Sequence, residues 1–204
     1  ERTRVATPAA ADTAASDAPA DLGGVRYSIS GAASLPSRII DPWEARTGGM
    51  LVEGYGLTET SPVLTINPLD DTRRAGTIGL PLPDTQLRIG DPAALSRTQP
   101  DGVAGEILAR GPQVFSGYLA DAPATSAAFH EGWFRTGDMG VREPDGHIRL
   151  VGRIKEIIIT GGFNVYPGEV EEALTSHPDI AQAAVVGTPR SDGSEDVAAC
   201  VVLA

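Results

Sequence analysis

A glycine-rich stretch at residues 53–62 carries side chains that suit a nucleotide. Its sequence, Glu-Gly-Tyr-Gly-Leu-Thr-Glu-Thr-Ser-Pro, brackets an aromatic ring with two glycines and sets a hydroxyl beside a carboxylate. The glycines would let backbone approach a flat base, on which Tyr55 can stack. Thr58 can donate a hydrogen bond to a phosphate oxygen, and Glu59 offers Mg²⁺ the hard oxygen ligand that it prefers. An ordinary glycine turn after a strand would explain the same residues, so local chemistry leaves both interpretations open.

Two further clusters lie downstream of this stretch. Residues 133–138, Trp-Phe-Arg-Thr-Gly-Asp, place Asp138 directly after a glycine, which suits a ribose diol but is also found in surface turns. Residues 152–171 contain the glycine pair Gly161 and Gly162, past which a thin ligand could run close to the backbone. Taken alone, that segment is typical of a strand, a turn and a helix. The sequence has no P-loop, no nucleophile elbow and no dinucleotide glycine fingerprint.

Hydrophobic periodicity and turn residues predict the elements that must position these clusters. We expect strands at 25–30, 50–53, 85–89 and 105–110, helices opening at Pro36 and covering 123–129, and a loop at 54–61. A Pro-Asp-Gly turn predicts a hairpin with arms 139–142 and 147–151. Further on, we expect an apolar strand at 154–159, a glycine turn, a helix at 167–176, and buried strands at 180–186 and 197–203, with Cys200 packed as a small hydrophobe.

Composition excludes several classes of function. The chain has 204 residues, with 16 Lys and Arg against 27 Asp and Glu, and a formal net charge of −11. Because this charge repels polyanions, we expect no nucleic-acid partner. No apolar run approaches the roughly 20 residues of a membrane-spanning helix. A single cysteine excludes an internal disulfide, and three scattered histidines offer no zinc ligand cluster, so we expect a globular protein of a reducing compartment.

Together these stretches resemble the adenylate-forming superfamily, which includes acyl-CoA synthetases, peptide-synthetase adenylation domains and luciferases. Five motifs occur in the family's order: Ser-Gly-Ala-Ala-Ser-Leu-Pro at 30–36, Tyr-Gly-Leu-Thr-Glu at 55–59, Gly-Glu-Ile at 105–107, Thr-Gly-Asp at 136–138 and Gly-Arg at 152–153. The resemblance covers residues 25–204. In detail the chain is most similar to bacterial long-chain fatty acid–CoA ligases, as in Gly-Gly-Phe-Asn-Val-Tyr-Pro at 161–167.

The resemblance implies an α/β (α+β mix) fold. Residues 25–152 would form the end of the large N-terminal AMP-binding domain with its β-rich subdomain, and 153–204 the start of the small α+β C-terminal lid. Residues 1–24 precede it as a flexible lead-in rich in Ala, Pro and Asp, for which a frayed helix is the alternative. Since the chain opens at Glu1 without a secretory signal, we expect an internal piece of a longer protein.

The same resemblance implies a role for each matching residue. Its cofactors would be ATP, Mg²⁺ and coenzyme A. The implied site consists of Gly31, Ala32, Gly54 and Tyr55 around adenine, Thr58 at the α-phosphate, Glu59 at Mg²⁺, Asp138 and Arg153 at the ribose, Lys155 at the domain hinge, and Gly161 and Gly162 beside the pantetheine tunnel. Of these, Thr58, Glu59 and Lys155 would be the catalytic residues.

The family reaction joins a carboxylate to ATP, giving acyl-AMP and pyrophosphate, after which the CoA thiol displaces AMP. We expect the fragment alone to be inactive, because the family's upstream phosphate loop and downstream catalytic lysine are missing. Lys155 is the only lysine and sits at the hinge, and Ser34 stands where a Pro or similar residue is expected. A truncated, non-catalytic binding module and an acyl-AMP ligase that serves a carrier protein are the alternatives. We expect a cytoplasmic protein, peripheral to the inner membrane face at most through its fatty acid substrate.

Overall fold

The computed structural model describes residues 21–33, 35–191 and 193–204. Most of the predicted lead-in, residues 1–20, lies outside the described residues, and so does Ser34, which stands where the family would have a Pro or similar residue. The elements in chain order are β1 (Tyr27–Ser30), α1 (Ile40–Thr47), β2 (Met50–Gly56), β3 (Val63–Ile66), β4 (Leu80–Pro81), β5 (Gln86–Asp91), β6 (Ala94–Thr98), β7 (Gly105–Arg110), α2 (Ala122–Ala128), β8 (Phe129–His130), β9 (Trp133–Arg142), β10 (Ile148–Arg153), β11 (Ile158–Thr160), β12 (Phe163–Val165), α3 (Pro167–Thr175), β13 (Ile180–Pro189) and β14 (Glu195–Leu203). The mixed α/β fold expected from the sequence is confirmed.

The first sheet has the strand order β1-β2-β3-β4. Strands β1 and β2 are parallel, joined by a crossover that contains α1, and β2 then pairs antiparallel with β3. Helix α1 ends at Gly48, which adopts a left-handed φ of 71° that few other residues tolerate. Parallel pairing brings the carboxyl ends of β1 and β2 to the same edge, where two of the glycine-rich motifs begin.

The second sheet is antiparallel and has the order β10-β9-β7-β5-β6, with β8 added on β9. A core cluster of Ile78, Ile89, Ile107 and Ile148 lies on it, and the half-buried ring of Tyr55 from the first sheet packs against this cluster. The Pro-Asp-Gly hairpin between β9 and β10 forms as predicted, because both its turn residues and the alternating pattern of its two arms favour an antiparallel hairpin.

The C-terminal elements comprise the β11–β12 hairpin, helix α3 and the antiparallel ribbon β13–β14. They join the second sheet through a cluster in which Tyr166, Ile154 and Ile157 pack against Met139 and Val151. In the part of the chain that the structure describes, no helix is long and apolar enough to cross a membrane.

Three element predictions are wrong in part. The loop expected at 54–61 begins as strand, because Gly54 and Tyr55 continue β2 by pairing with β3. The strand expected at 154–159 starts with a 3-10 turn at Ile154–Glu156, and only Ile158–Thr160 is strand.

The two strands predicted to be buried, β13 and β14, form the third exception. Val185 is 5% exposed, but Val202 is 55% and Leu203 71% exposed. Cys200 is also exposed, so its expected packing is wrong. The reason is architectural: within the described residues the ribbon has two strands, and α3 packs against β13.

Candidate active site

Three residues from distant motifs meet at the carboxylate of Asp138. Asp138 lies on β9, and the residue is 7% exposed. The hydroxyl of Tyr55, on β2, donates a hydrogen bond of 2.6 Å to its Oδ2 atom. Arg153, at the end of β10 and opposite Asp138 in the ladder, places Nε 3.3 Å from Oδ1. The structure therefore assembles a buried carboxylate between a phenol and a guanidinium.

The backbone before Asp138 forms an irregularity within strand β9 that the sequence analysis did not predict. Gly137 adopts a φ of 75°, which favours glycine. The hydroxyl of Thr136 donates to the carbonyl oxygen of Ile107 at 2.8 Å and accepts the N–H of Asp138 at 3.1 Å. Glu106, 1% exposed, accepts hydrogen bonds from the N–H of Gly137 at 3.3 Å and from Arg135. A charged residue inside the apolar run of β7 was the available signal for this role.

Tyr55 is fixed as a hydrogen-bond donor. Tyr55 packs against two core clusters, one that contains Ile78 and one that contains Leu64. Burial and the neighbouring negative charge of Asp138 raise the pKa of Tyr55 far above its ordinary value, so the phenol keeps its proton. Its expected stacking on a base stays a prediction, whereas its contact with Asp138 is visible only in the fold.

A tight turn after β2 presents Thr58 and Glu59. Gly56 is required there, because a Cβ on it would lie 1.7 Å from the carbonyl oxygen of Pro62. The hydroxyl of the fully buried Thr60 accepts the N–H of Leu57 at 2.9 Å and donates to Pro62 at 2.8 Å. Thr58 itself is exposed and Glu59 is half-buried, so the turn holds both side chains at the surface.

Glu59 is contacted by a second loop, at residues 115–118. The N–H of Phe115 donates to its carbonyl oxygen at 2.8 Å, and the hydroxyl of Tyr118 donates to its Oε1 atom at 3.1 Å. No group of three or more metal-ligating side chains exists among the described residues. One carboxylate beside the exposed hydroxyl of Thr58, which is predicted to meet a phosphate, nevertheless fits Mg²⁺, which proteins commonly hold through one or two carboxylates plus substrate phosphates.

The remaining predicted residues follow strands β1, β10 and β11. Gly31 follows β1, and a Cβ on it would sit 3.3 Å from the carbonyl oxygen of Gly54, so the two motifs that were predicted to contact adenine are adjacent. Ala32 follows with a left-handed φ of 67°. Lys155 is exposed in the 3-10 turn that follows β10. The final pair, Gly161 and Gly162, forms the β11–β12 turn with φ values of 56° and 82°.

Comparison with protein-family models gives two matches along the chain. The model for AMP-binding enzymes matches residues 3–119, and the model for the AMP-binding enzyme C-terminal domain matches residues 169–204. The order of the two matches is the domain order that the resemblance implied.

Curated relatives include ligases for different acids. The chain is 43% identical over 183 residues to a long-chain-fatty-acid–CoA ligase of Bacillus subtilis, covering 90% of this chain and 32% of the relative. It is 43% identical over 185 residues to an indoleacetate–CoA ligase of Aromatoleum aromaticum, covering 90% of this chain and 36% of the relative. The chain thus spans about a third of the length of these proteins.

Solved structures agree with this comparison. The ATP-bound crystal structure of MatB from Rhodopseudomonas palustris matches with a TM-score of 0.80 and 40% identity, covering 86% of this chain and 35% of that one. At this identity the likeness covers the amino-acid sequence as well as the fold.

Proposed function

This chain belongs to the family of AMP-binding enzymes, and from that premise we propose that it supplies the nucleotide-binding third of a carboxylate–CoA ligase. In the first step a carboxylate attacks the α-phosphorus of ATP, forming acyl-AMP and releasing pyrophosphate. In the second, the thiol of CoA attacks the acyl carbon and AMP leaves. The observation that carries the proposal is the buried carboxylate of Asp138, held between Tyr55 and Arg153. Tyr55 lies on β2, the strand that leads into the Thr58–Glu59 turn.

We propose that Asp138 binds the ribose diol. A carboxylate offers about four acceptor positions, so both ribose hydroxyls can donate to it while Tyr55 stays bonded. The Tyr55 ring is locked by packing, but the side chain of Arg153 is 68% exposed and can move aside or turn to the ribose. Desolvation makes hydrogen bonds at this carboxylate stronger than they would be on the surface.

Thr58 and Glu59 are proposed to meet the phosphates. The exposed hydroxyl of Thr58 would donate to an α-phosphate oxygen, and this bond strengthens as charge grows on that oxygen during attack. Glu59 would hold Mg²⁺ together with phosphate oxygens, and the bound cation supplies charge neutralisation when present. The adenine ring would lie against the small residues after β1 and within β2, which leave room for it: Gly31, Ala32 and Gly54.

The C-terminal elements are proposed to act as a lid. Lys155 lies in the 3-10 turn between β10 and β11, where a few dihedral changes would reorient everything that follows. The exposed turn at Gly161 and Gly162 would then border the path of the CoA arm. Apart from its two chain neighbours, no described residue has a heavy atom within 4 Å of a Cβ placed on Gly162.

For the acid, we propose a long-chain fatty acid. Long-chain ligases among the relatives support this assignment, and the indoleacetate ligase at equal identity makes an aryl acid the competing substrate. Both acids can be compared in two hybrids, because each host supplies about two thirds of the protein. In one, the completed chain, residues 21–204 replace the matching segment of the Bacillus subtilis ligase, and in the other they replace that of the Aromatoleum aromaticum ligase. We expect the ratio of palmitate to indoleacetate in acid-dependent pyrophosphate release to rise in the second hybrid relative to its host, and the unfused chain to release no pyrophosphate. An unchanged ratio in that hybrid would count against the fatty acid.

Asp138→Asn in the completed chain tests the nucleotide site. The amide keeps the shape but loses the charge that strengthens the diol bonds, worth about 1.5–3 kcal/mol, so kcat/KM for ATP should fall roughly 10- to 150-fold. Asp101→Asn, at an exposed ion pair with Arg142, is the matched control and should leave kcat/KM unchanged. Equal kcat/KM for both variants would refute the ribose assignment.

A further inference from the structure

The loop at residues 115–118 grips Glu59 at two points. One is a backbone hydrogen bond from Phe115 to the Glu59 carbonyl oxygen, and the other is the bond from the Tyr118 hydroxyl to Oε1. The first contact fixes where the residue sits, and the second restricts how its carboxylate is turned. A carboxylate on a flexible side chain otherwise loses rotamer entropy when it takes up a ligand.

Tyr118 is itself anchored independently of its hydroxyl. Its ring packs edge-on against Phe115 with 4.9 Å between centroids, and its N–H donates to Thr125 at 2.8 Å. Thr125 lies in α2, whose first turn is capped by the side chain of Asp121. These contacts hold the Tyr118 ring where its hydroxyl can reach Glu59, and they would keep the ring there if the hydroxyl were removed.

We propose that Tyr118 is a positioning residue that orients the carboxylate of Glu59 for Mg²⁺. Donation to Oε1 holds the carboxylate plane and leaves Oε2 available for the cation. Groups that hydrogen-bond a metal-binding side chain commonly increase its metal affinity, because they already hold that side chain in its binding orientation before the metal arrives. The inference rests on the proposed function, in which Glu59 is the protein ligand of the metal.

A structural tether is the competing explanation, since the same bond links two loops. The backbone bond from Phe115 to Glu59 already provides that tether and does not involve the phenol. Tyr118→Phe removes only the oxygen and keeps the ring contact, so the two explanations differ in what this variant changes. A tether predicts lower stability with unaltered metal binding, and orientation predicts weaker metal binding with unaltered stability.

The test uses the completed chain and Mn²⁺ as a spectroscopic stand-in for Mg²⁺. Free Mn²⁺ is measured by electron paramagnetic resonance in the presence of ATP, for the wild type, Tyr118→Phe, Glu59→Gln and the double variant. We expect Tyr118→Phe to weaken Mn²⁺ binding by about tenfold and to raise the Mg²⁺ concentration for half-maximal activity equally. In the Glu59→Gln background the same change should have no further effect. Tyr27→Phe, on the exposed β1 strand, is the matched control.

Each outcome has a distinct meaning. Unchanged Mn²⁺ binding in Tyr118→Phe, together with a loss in Glu59→Gln, would overturn the inference and leave the proposed function intact. No loss in Glu59→Gln, or no Mn²⁺ bound with ATP by the wild type, would overturn both. A falling melting temperature at constant Mn²⁺ affinity would assign Tyr118 to the tether.

Discussion

Replacing Glu106 with glutamine removes the one charge that β7 buries, beside the irregular part of β9 that precedes Asp138. Glu106 is 1% exposed and lies 3.0 Å from Nη2 and 3.2 Å from Nε of Arg135. It also accepts the N–H of Gly137 at 3.3 Å. Glutamine keeps the volume but has one acceptor oxygen, and its amide group must turn two donors toward either Arg135 or Gly137.

The loss can be worked from these contacts. Breaking a buried ion pair costs about 3–5 kcal/mol when the remaining charge stays buried. The Arg135 side chain is 39% exposed, so water rehydrates it and lowers the cost. Adding the weakened bond to Gly137, we expect a loss of about 2–4 kcal/mol in the free energy of unfolding. With an m-value of about 2 kcal/mol/M, the urea midpoint falls by about 1–2 M.

Fluorescence of Trp133 provides a local assay. This side chain lies on β9, with the guanidinium groups of Arg88 and Arg110 at 4.9 Å and 4.5 Å from its ring centroid, so unfolding of the sheet changes its environment. A Trp43→Phe background removes the second tryptophan. Asp101→Asn is the control, because it breaks a surface pair expected to contribute at most about 1 kcal/mol. A midpoint shift for Glu106→Gln no larger than that of the control would refute the reasoning.

Two further predictions concern stability. Gly56→Ala puts a Cβ 1.7 Å from the carbonyl oxygen of Pro62, so the backbone must move, and urea unfolding should show a loss of about 3 kcal/mol or more in the free energy of unfolding. Gly168→Ala is the control: its Cβ would meet no atom within 4 Å outside its own helix and chain neighbours, so the free energy of unfolding should change by less than about 1 kcal/mol. Similar losses for the two variants would contradict the close approach at Gly56. A hydrogen bond from Arg73 lowers the pKa of the Glu44 carboxyl in the folded protein. The pair therefore stabilises the fold fully above the pKa of about 4.3 that Glu44 has in the unfolded chain. This stabilisation is lost as the pH falls through the lower pKa of Glu44 in the folded protein. Arg73→Met should therefore cost roughly 1–2 kcal/mol at pH 7 and less at pH 3, and an equal cost at both would count against this linkage.

Local patterns in the sequence predicted those elements whose causes are local. Helix α3 forms where its opening proline and periodic apolar residues place it, and the β9–β10 hairpin follows from its Pro-Asp-Gly turn. The motifs also predicted which residues belong near the nucleotide. The resemblance to adenylate-forming enzymes is confirmed by the family match, and the individual roles of the site residues stay predictions.

Where an element depends on pairing or packing with another element, its own local pattern was insufficient. The sequence predicted a loop from Gly54 because its glycines disfavour a strand, yet β3 supplies partners for Gly54 and Tyr55 and extends β2. The β13–β14 strands were expected to be buried because they are apolar, but burial depends on which neighbours cover a strand. The exposed fraction of a strand depends on which elements pack over it, so the residues of the strand alone do not predict it.

The amino-acid sequence by itself determined the chemical inventory: a phenol, a hydroxyl, two carboxylates and a guanidinium, in an order typical of one enzyme family. Only the tertiary structure decided their partners. Tyr55 and Asp138 are 83 residues apart in the chain and 2.6 Å apart at their oxygens, and Tyr118 reaches Glu59 across 59 residues. Side-chain type is encoded locally, whereas a hydrogen bond between two sheets or two loops requires that packing of the whole core first fix both backbones.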